Sequence, residues 1–107
     1  MKISTNKLTD LIDLKLKVES ITGIDELFKS SRRRDYADAR CIYYTFAFKF
    51  LSVRVVDLAR FSKQHHATIL FALNKFDNIV PFDKRLLSIW KELIANVKRT
   101  TVDNIIE

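Results

Sequence analysis

A chain of 107 residues, 48% hydrophobic and 30% charged, has the length and composition of one folded domain rather than of a disordered tail. It contains one Gly and one Pro, which disfavours strands and tight hairpins because hairpin turns need residues at positive φ. The stretch 29–63 holds nine basic and three acidic residues, so the whole formal net charge of +6 falls within it and indicates a polyanionic partner.

The single cysteine, Cys41, excludes an internal disulfide and is typical of a reducing compartment. It lies in an aromatic run, where we expect a buried thiol. The N-terminal residues lack the unbroken apolar stretch of a signal peptide, and the longest apolar run, 41–48, is too short to span a bilayer. We therefore expect a soluble, cytoplasmic protein with no membrane partner.

The first predicted element is a helix over 5–22, because apolar residues recur there at helical spacing in a charged background. Gly23 directly follows it and is well placed as a C-cap. Residues 24–29 are expected to form a short helix or turn. Residues 30–34 form a polar, basic connector.

A second long helix is predicted from near Asp35, a candidate N-cap, to about Leu51. It is apolar around most of its circumference, so we expect it to be central. Its aromatic residues are expected mainly to pack in the core. The alternative is an exposed patch that pairs with another copy or with a host protein. The residues concerned are Tyr43, Tyr44, Phe46, Phe48 and Phe50.

Two shorter helices are predicted next, with a polar turn at 62–64 between them. Ser52 is the candidate N-cap of the first, over 53–60, and the second runs from His65 to about Phe76. The residues expected to face the core are Val55, Val56, Leu58, Ile69, Leu70, Leu73 and Phe76.

An amphipathic stripe predicts a last helix over 82–99, with Pro81 near its first turn and a fraying tail to Glu107. The stripe consists of Leu86, Ile89, Trp90, Leu93, Ile94 and Val97. The elements together predict an all-α, compact bundle of about five or six helices in a single domain, residues 1–107.

The two helices and the short turn within 53–76 have the layout of a helix-turn-helix. In that motif the first residues of the second helix meet the major groove of DNA, and an apolar anchor follows, here at residues 69–70. The side chains at this position can bind the edges of bases, because amides and imidazoles find hydrogen-bonding partners there and small apolar groups pack on the thymine methyl. The candidate base-reading residues are Gln64, His65, His66, Ala67 and Thr68.

A run of three arginines precedes the second long helix, where backbone N–H groups favour phosphate. An extended arginine segment can also enter a minor groove. The alternative is a solvated run of charges, and the concentration of the net charge favours DNA contact. The residues predicted to contact the minor groove or the phosphate backbone are Arg32, Arg33, Arg34, Arg40, Arg54 and Lys63.

Two segments carry a resemblance to a known family: ITGIDELFKSSRRRDYADAR at 21–40 and VVDLARFSKQHHATILFALNKF at 55–76. They resemble the C-terminal DNA-binding domain of the bacterial replication initiator DnaA, a Trp-repressor-like helix-turn-helix fold. In that family a TG lead-in with a basic run ends in AR at the start of a long helix, and the signature H-[S/T]-T-V follows.

The resemblance implies base reading by His66, Ala67 and Thr68, and an anchor at 69–70. It also implies that an arginine of 32–34 lies in the minor groove and that Arg40 lies on the backbone. The family's basic–acidic pair before the histidine is here Gln64-His65, and Ala67 replaces a hydroxyl residue. The resemblance therefore supports binding to DNA better than it supports binding to the box, the DNA sequence that the initiator itself recognises.

The initiator's ATPase requires a phosphate loop, and this sequence has none. The resemblance thus implies a free-standing DNA-reading module, nucleoid-associated and active in replication or transcription control. Adjacent helical side chains such as His65 and His66 point about 100° apart and do not converge on one ion. We expect double-stranded DNA as partner, and no catalysis, metal, cofactor or small-molecule substrate.

Overall fold

The computed structural model describes the backbone of residues 5–29 and 33–106 and the side chains of residues 8–29 and 33–96. Within these ranges the chain forms five α-helices, one short 3-10 helix and no strand. The elements are α1 (Thr5–Thr22), α2 (Arg34–Phe50), α3 (Val55–Ser62), α4 (His66–Ile79), the 3-10 helix (Val80–Phe82) and α5 (Lys84–Ile106). The predicted all-α bundle is therefore confirmed.

Helix α1 has the predicted bounds, and its end is set by Gly23, whose φ of +76° lies in the left-handed region. The N–H of Gly23 donates to the carbonyl of Glu19 at 2.9 Å, which satisfies one of the last carbonyls of the helix. Residues 24–29 form turns rather than a short helix. The carboxylate of Glu19 accepts a hydrogen bond from the N–H of Leu27 at 2.8 Å and ties this segment to α1.

Helix α2 is central, as predicted, because every residue from 41 to 47 is buried. The hydroxyl of Tyr43 donates to the carbonyl of Leu11 in α1 at 3.0 Å. The thiol of Cys41, also buried as predicted, donates to the carbonyl of Ala72 in α4 at 3.1 Å. The central helix is thus bonded to a neighbour on either side.

The prediction that Asp35 caps α2 is wrong. The N-cap is Arg33, which is extended and provides no side-chain cap, and Asp35 is the second helical residue. A carboxylate there still favours the helix through its dipole. The helix ends at Phe50, and Leu51 is its C-cap.

The aromatic residues form two clusters that join α2 to its neighbours. In one cluster Phe28 lies 5.2 Å from Tyr43 and 5.9 Å from Phe61 between ring centroids, which connects residues 24–29, α2 and α3. In the other, Trp90 of α5 lies 5.7 Å from Phe46 and 4.6 Å from Phe76. Edge-to-face pairs of this kind contribute energy beyond the area they bury.

The predicted start of the last helix at 82 is wrong by two residues. Pro81 lies in the 3-10 helix, and α5 begins at Lys84 because the carboxylate of Asp83 accepts a hydrogen bond from the N–H of Leu86 at 3.1 Å, an N-cap geometry. The helix continues to Ile106, beyond its predicted end at 99. Of the predicted stripe, Leu86 and Leu93 are buried and Ile89, Trp90 and Ile94 are half-buried, while the Val97 side chain lies outside the described residues.

A buried carboxylate, Asp38 of α2, connects three helices. Its oxygens lie 3.2 Å from Lys75 Nζ of α4 and 3.1 Å from an Arg85 Nη of α5. Arg34 Nε of the same helix lies 3.8 Å away. Charges are buried in proteins only when they are paired, so these cations make the position tolerable for a carboxylate.

Candidate nucleic-acid interface

Three residues join α3 to α4, which is the connection length of a helix-turn-helix. Lys63 adopts the left-handed conformation, with φ 58° and ψ 35°, and ends α3. The N–H of Gln64 then donates to the carbonyl of Ala59 at 3.1 Å. The buried hydroxyl of Ser62 donates to the carbonyl of Leu58 at 2.8 Å, so the turn is held from inside.

Helix α3 begins two residues later than predicted, at Val55, and Ser52 is not its cap. Arg54 is the N-cap, while Ser52 has φ 55° and lies in the connection from α2. The shift changes which side chains face inward. Val53, before the helix, is buried with Leu58, whereas Val56 is exposed and not in the core as predicted.

Helix α4 is fixed to the core by Ile69, Ala72 and Phe76, which recur at helical spacing and are buried. Leu73, also predicted to be buried, is half-buried. The assignment of Leu70 to the core anchor is wrong, because its side chain is 51% exposed. Neighbouring helical residues are about 100° apart, so burial of Ile69 turns Leu70 toward solvent.

The first turn of α4 holds the predicted base-reading residues together at the surface. His65, predicted as the first helical residue, is instead the N-cap, and His66 begins the helix. The side chains of His65, His66, Ala67 and Thr68 are exposed and that of Gln64 is half-buried. The N-terminal end of α4 is therefore free to approach a partner surface.

His65 has a structural task within this turn. Its Nδ1 accepts a hydrogen bond from the N–H of Ala67 at 3.1 Å, so the ring caps the helix. Its ring stacks on that of His66, with centroids 4.5 Å apart and planes 27° apart. The two rings thus lie side by side across the start of the helix.

The predicted phosphate-contacting residues are in different situations. Lys63 is exposed in the turn and has no partner among the described side chains. Arg54 is exposed, with Nε 3.1 Å from the carboxylate of Asp57. Arg33 and Arg34, also exposed, lie at the start of α2 and pair with Asp35 and Asp38. The predicted contact Arg32 lies outside the described residues.

Arg40 is half-buried, and its guanidinium serves the fold. Its Nε donates to the carbonyl of Leu27 at 2.7 Å, and one Nη donates to the carbonyl of Lys29. The guanidinium also lies 5.8 Å from the ring centroid of Tyr36, a cation–π contact. The residue therefore holds the segment that leads into the basic connector, which the sequence alone did not indicate.

Most of the aromatic run is core, which confirms the first of the two interpretations for Tyr43, Tyr44 and Phe46. Of the five aromatic residues, only Phe48 and Phe50 are exposed. The ring of Phe50 contacts that of Phe46, with centroids 4.8 Å apart. The aromatic surface that this run of α2 offers to a protein partner is accordingly small.

Comparison of the chain with protein-family models, curated proteins and solved structures gives no match. Among the described residues, no helix combines the length and the apolarity that a bilayer crossing needs. In the same part of the chain, no group of three or more His, Cys, Asp or Glu side chains is placed to hold a metal ion.

Proposed function

We propose that this protein binds double-stranded DNA through α3 and α4, with the first turn of α4 in the major groove. The observation that carries the proposal is the exposed N-terminal turn of α4, joined by three residues to α3 and preceded by the exposed Lys63. A helix N-terminus bears partial positive charge and backbone N–H groups, which favour an anionic ligand.

The charge distribution supports the same partner. The sequence concentrates its net charge of +6 in 29–63, the stretch that contains all of α2 and α3. In the proposed complex Lys63 and Arg54 neutralise phosphates beside the major groove. Arg33 and Arg34 contact the backbone or the adjacent minor groove.

The resemblance to the DNA-reading domain of the initiator DnaA suggests the setting, a role in replication or transcription control. The protein would act there by occupying sites, because these 107 residues contain no phosphate loop for ATP hydrolysis. The base-reading turn differs from the family signature at Gln64, His65 and Ala67. Selection of duplexes from a random library therefore defines the target site.

Fluorescence anisotropy with two duplexes tests the proposal, one duplex carrying an initiator-type box and the other a scrambled sequence. Four phosphate contacts predict a salt slope of about −3.6, which is about a hundredfold weaker binding between about 50 and 200 mM salt. Selective binding to the box would support competition for initiator sites. Equal binding with a steep slope would support DNA binding at a different site.

Lys63→Ala should flatten the slope by about 0.9 and weaken binding to both duplexes alike. Lys91→Ala is the matched control, because Lys91 is an exposed lysine on α5, outside the proposed interface. Absence of binding to either duplex at low salt would refute the proposed function.

A further inference from the structure

Two large apolar side chains lie on the solvent side of α4. Phe71 is 70% exposed and Leu70 is 51% exposed, although the core face of the same helix is already complete with Ile69, Ala72 and Phe76. Ala67, Phe71 and Asn74 follow one another at i, i+4 and i+7 and so form a single line along the outer face. All three are exposed.

This outer line is too small to be a dimer interface. An aromatic side chain buries about 150–250 Å², whereas a stable protein interface buries about 800 Å² on each partner. The line begins at Ala67, in the first turn of α4 and four residues after Lys63, and its third member is an amide with no side-chain partner among the described residues. A narrow strip of apolar and amide groups, with an exposed cation in the turn that precedes the helix, complements a DNA groove better than a protein surface.

We propose that Phe71 and Asn74 extend the base-reading surface of α4, with Phe71 packed on a thymine methyl group and Asn74 bonded to a neighbouring adenine. This inference rests on the proposed DNA-binding function. An exposed thymine methyl is the apolar group of the major groove, and an amide pairs with the N6 and N7 edge of adenine. The site therefore contains adjacent A·T pairs.

The spacing of the two residues fits adjacent base pairs. Three helical residues rise about 4.5 Å along the axis, close to the 3.4 Å or so between neighbouring bases. The reading surface ends one turn later, at Asp77, whose carboxylate is exposed and lies 3.6 Å from Lys49 Nζ. A carboxylate is repelled by phosphates, so the proposed groove contact runs from the first turn of α4 to Asn74 and ends before Asp77.

The experiment starts with selection of the preferred duplex from a random library by the intact 107-residue protein. Anisotropy then compares that duplex with a copy in which thymines are replaced singly by deoxyuridine, which lacks only the methyl group. We expect one or more replacements to weaken binding about fourfold, the value of a buried methyl group. Phe71→Ala should weaken binding to the thymine duplex about tenfold and abolish the thymine–deoxyuridine difference.

Asn74→Ala should remove the preference for adenine at one position next to that thymine. Phe82→Ala is the matched control, because Phe82 is 84% exposed but lies in the 3-10 helix after α4. It should leave both the affinity and the methyl effect unchanged. Circular dichroism of each variant checks that the fold is retained.

The outcomes separate the two proposals. If the wild-type protein selects no duplex and binds none at low salt, the proposed function and this inference both fail. If it binds but the deoxyuridine copies bind equally well, the inference fails and DNA binding stands. If Phe71→Ala weakened binding to the thymine and deoxyuridine duplexes equally, the proposed role of Phe71 in recognising thymine would also be overturned. Phe71 would then contact DNA without distinguishing one base from another.

Discussion

The guanidinium of Arg40 donates from Nε to the backbone carbonyl of Leu27, 2.7 Å away and thirteen residues earlier in the chain. This bond joins α2 to the segment after α1, and a second bond from the same group reaches the carbonyl of Lys29. One side chain of α2 therefore holds both Leu27 and Lys29, in the segment that follows α1. Arg40 thus has a structural role that its place in a basic sequence did not indicate.

Arg40→Lys should destabilise the fold by about 1–3 kcal/mol, because an ammonium group cannot replace the fork that serves both carbonyls. The free energy of unfolding in urea measures the effect. Arg33→Lys is the control, since the Arg33 side chain is 74% exposed and surface ion pairs contribute little. Equal, small losses in the two variants would mean that the Arg40 bonds do not stabilise the segment.

Asp38→Asn should cost about 1–3 kcal/mol of stability, because it removes the buried charge that Lys75 and Arg85 share. The loss should be smaller than for a fully buried ion pair, since the Arg85 side chain is largely exposed. Asp77→Asn is the matched control, because Asp77 forms an exposed ion pair with Lys49. This substitution should lower the free energy of unfolding by less than about 1 kcal/mol. Urea unfolding of both variants provides the comparison, and similar losses would contradict a connecting role for Asp38.

Burial raises the pKa of the Cys41 thiol to about 11 from an ordinary value of 9.0. The fold therefore favours the protonated thiol, and this contribution to stability is complete below about pH 9 and falls as the pH rises toward 11. Two units correspond to about 3 kcal/mol as an upper bound. The stability difference between the wild type and Cys41→Ala should shrink over this range.

Urea unfolding of both proteins at several pH values from about 7 to 11 measures that difference. Tyrosines and lysines titrate in both proteins, so their effects cancel in the comparison. Parallel stability curves would show that the thiol ionises in the folded state without cost.

Local signals in the sequence were sufficient where one residue type decides a conformation. Gly23 ends α1 at the predicted residue because it alone takes a left-handed φ without strain from a side chain. The prediction from Ser52 for the start of α3 was wrong because tertiary packing overrides the local preference of this residue. Serine favours N-caps, but here tertiary packing buries Val53 before the helix and moves the cap to Arg54.

The candidate site was predictable in position but not in its details. The exposed residues 65–68 follow from the polar sequence between two apolar helices. The orientation of Leu70 and Phe71 does not, because adjacent apolar residues fit either face until Ile69 is known to be buried. The partners of Arg40 and Asp38 lie on other segments, and sequence periodicity contains no information about such long-range bonds.

The two histidines at the start of α4 should separate into a capping residue and a base-reading residue. His65→Ala should cost about 0.5–2 kcal/mol, the value of a lost N-cap, whereas His65→Asn should retain most of the stability because asparagine is a strong N-cap. His66→Ala should leave stability nearly unchanged, since the side chain is exposed and accepts no capping bond. Thermal and urea unfolding of the three variants test this order.

The same variants distinguish the roles on DNA. Nδ1 of His65 is already bonded to the N–H of Ala67, so only Nε2 of this ring is left to bond a base. We therefore expect His66→Ala, rather than His65→Asn, to change which duplexes are selected from a random library, at a cost of about 1–3 kcal/mol for the preferred site. A changed selection with His65→Asn and none with His66→Ala would reverse the assignment and make the capping ring the one that reads the base.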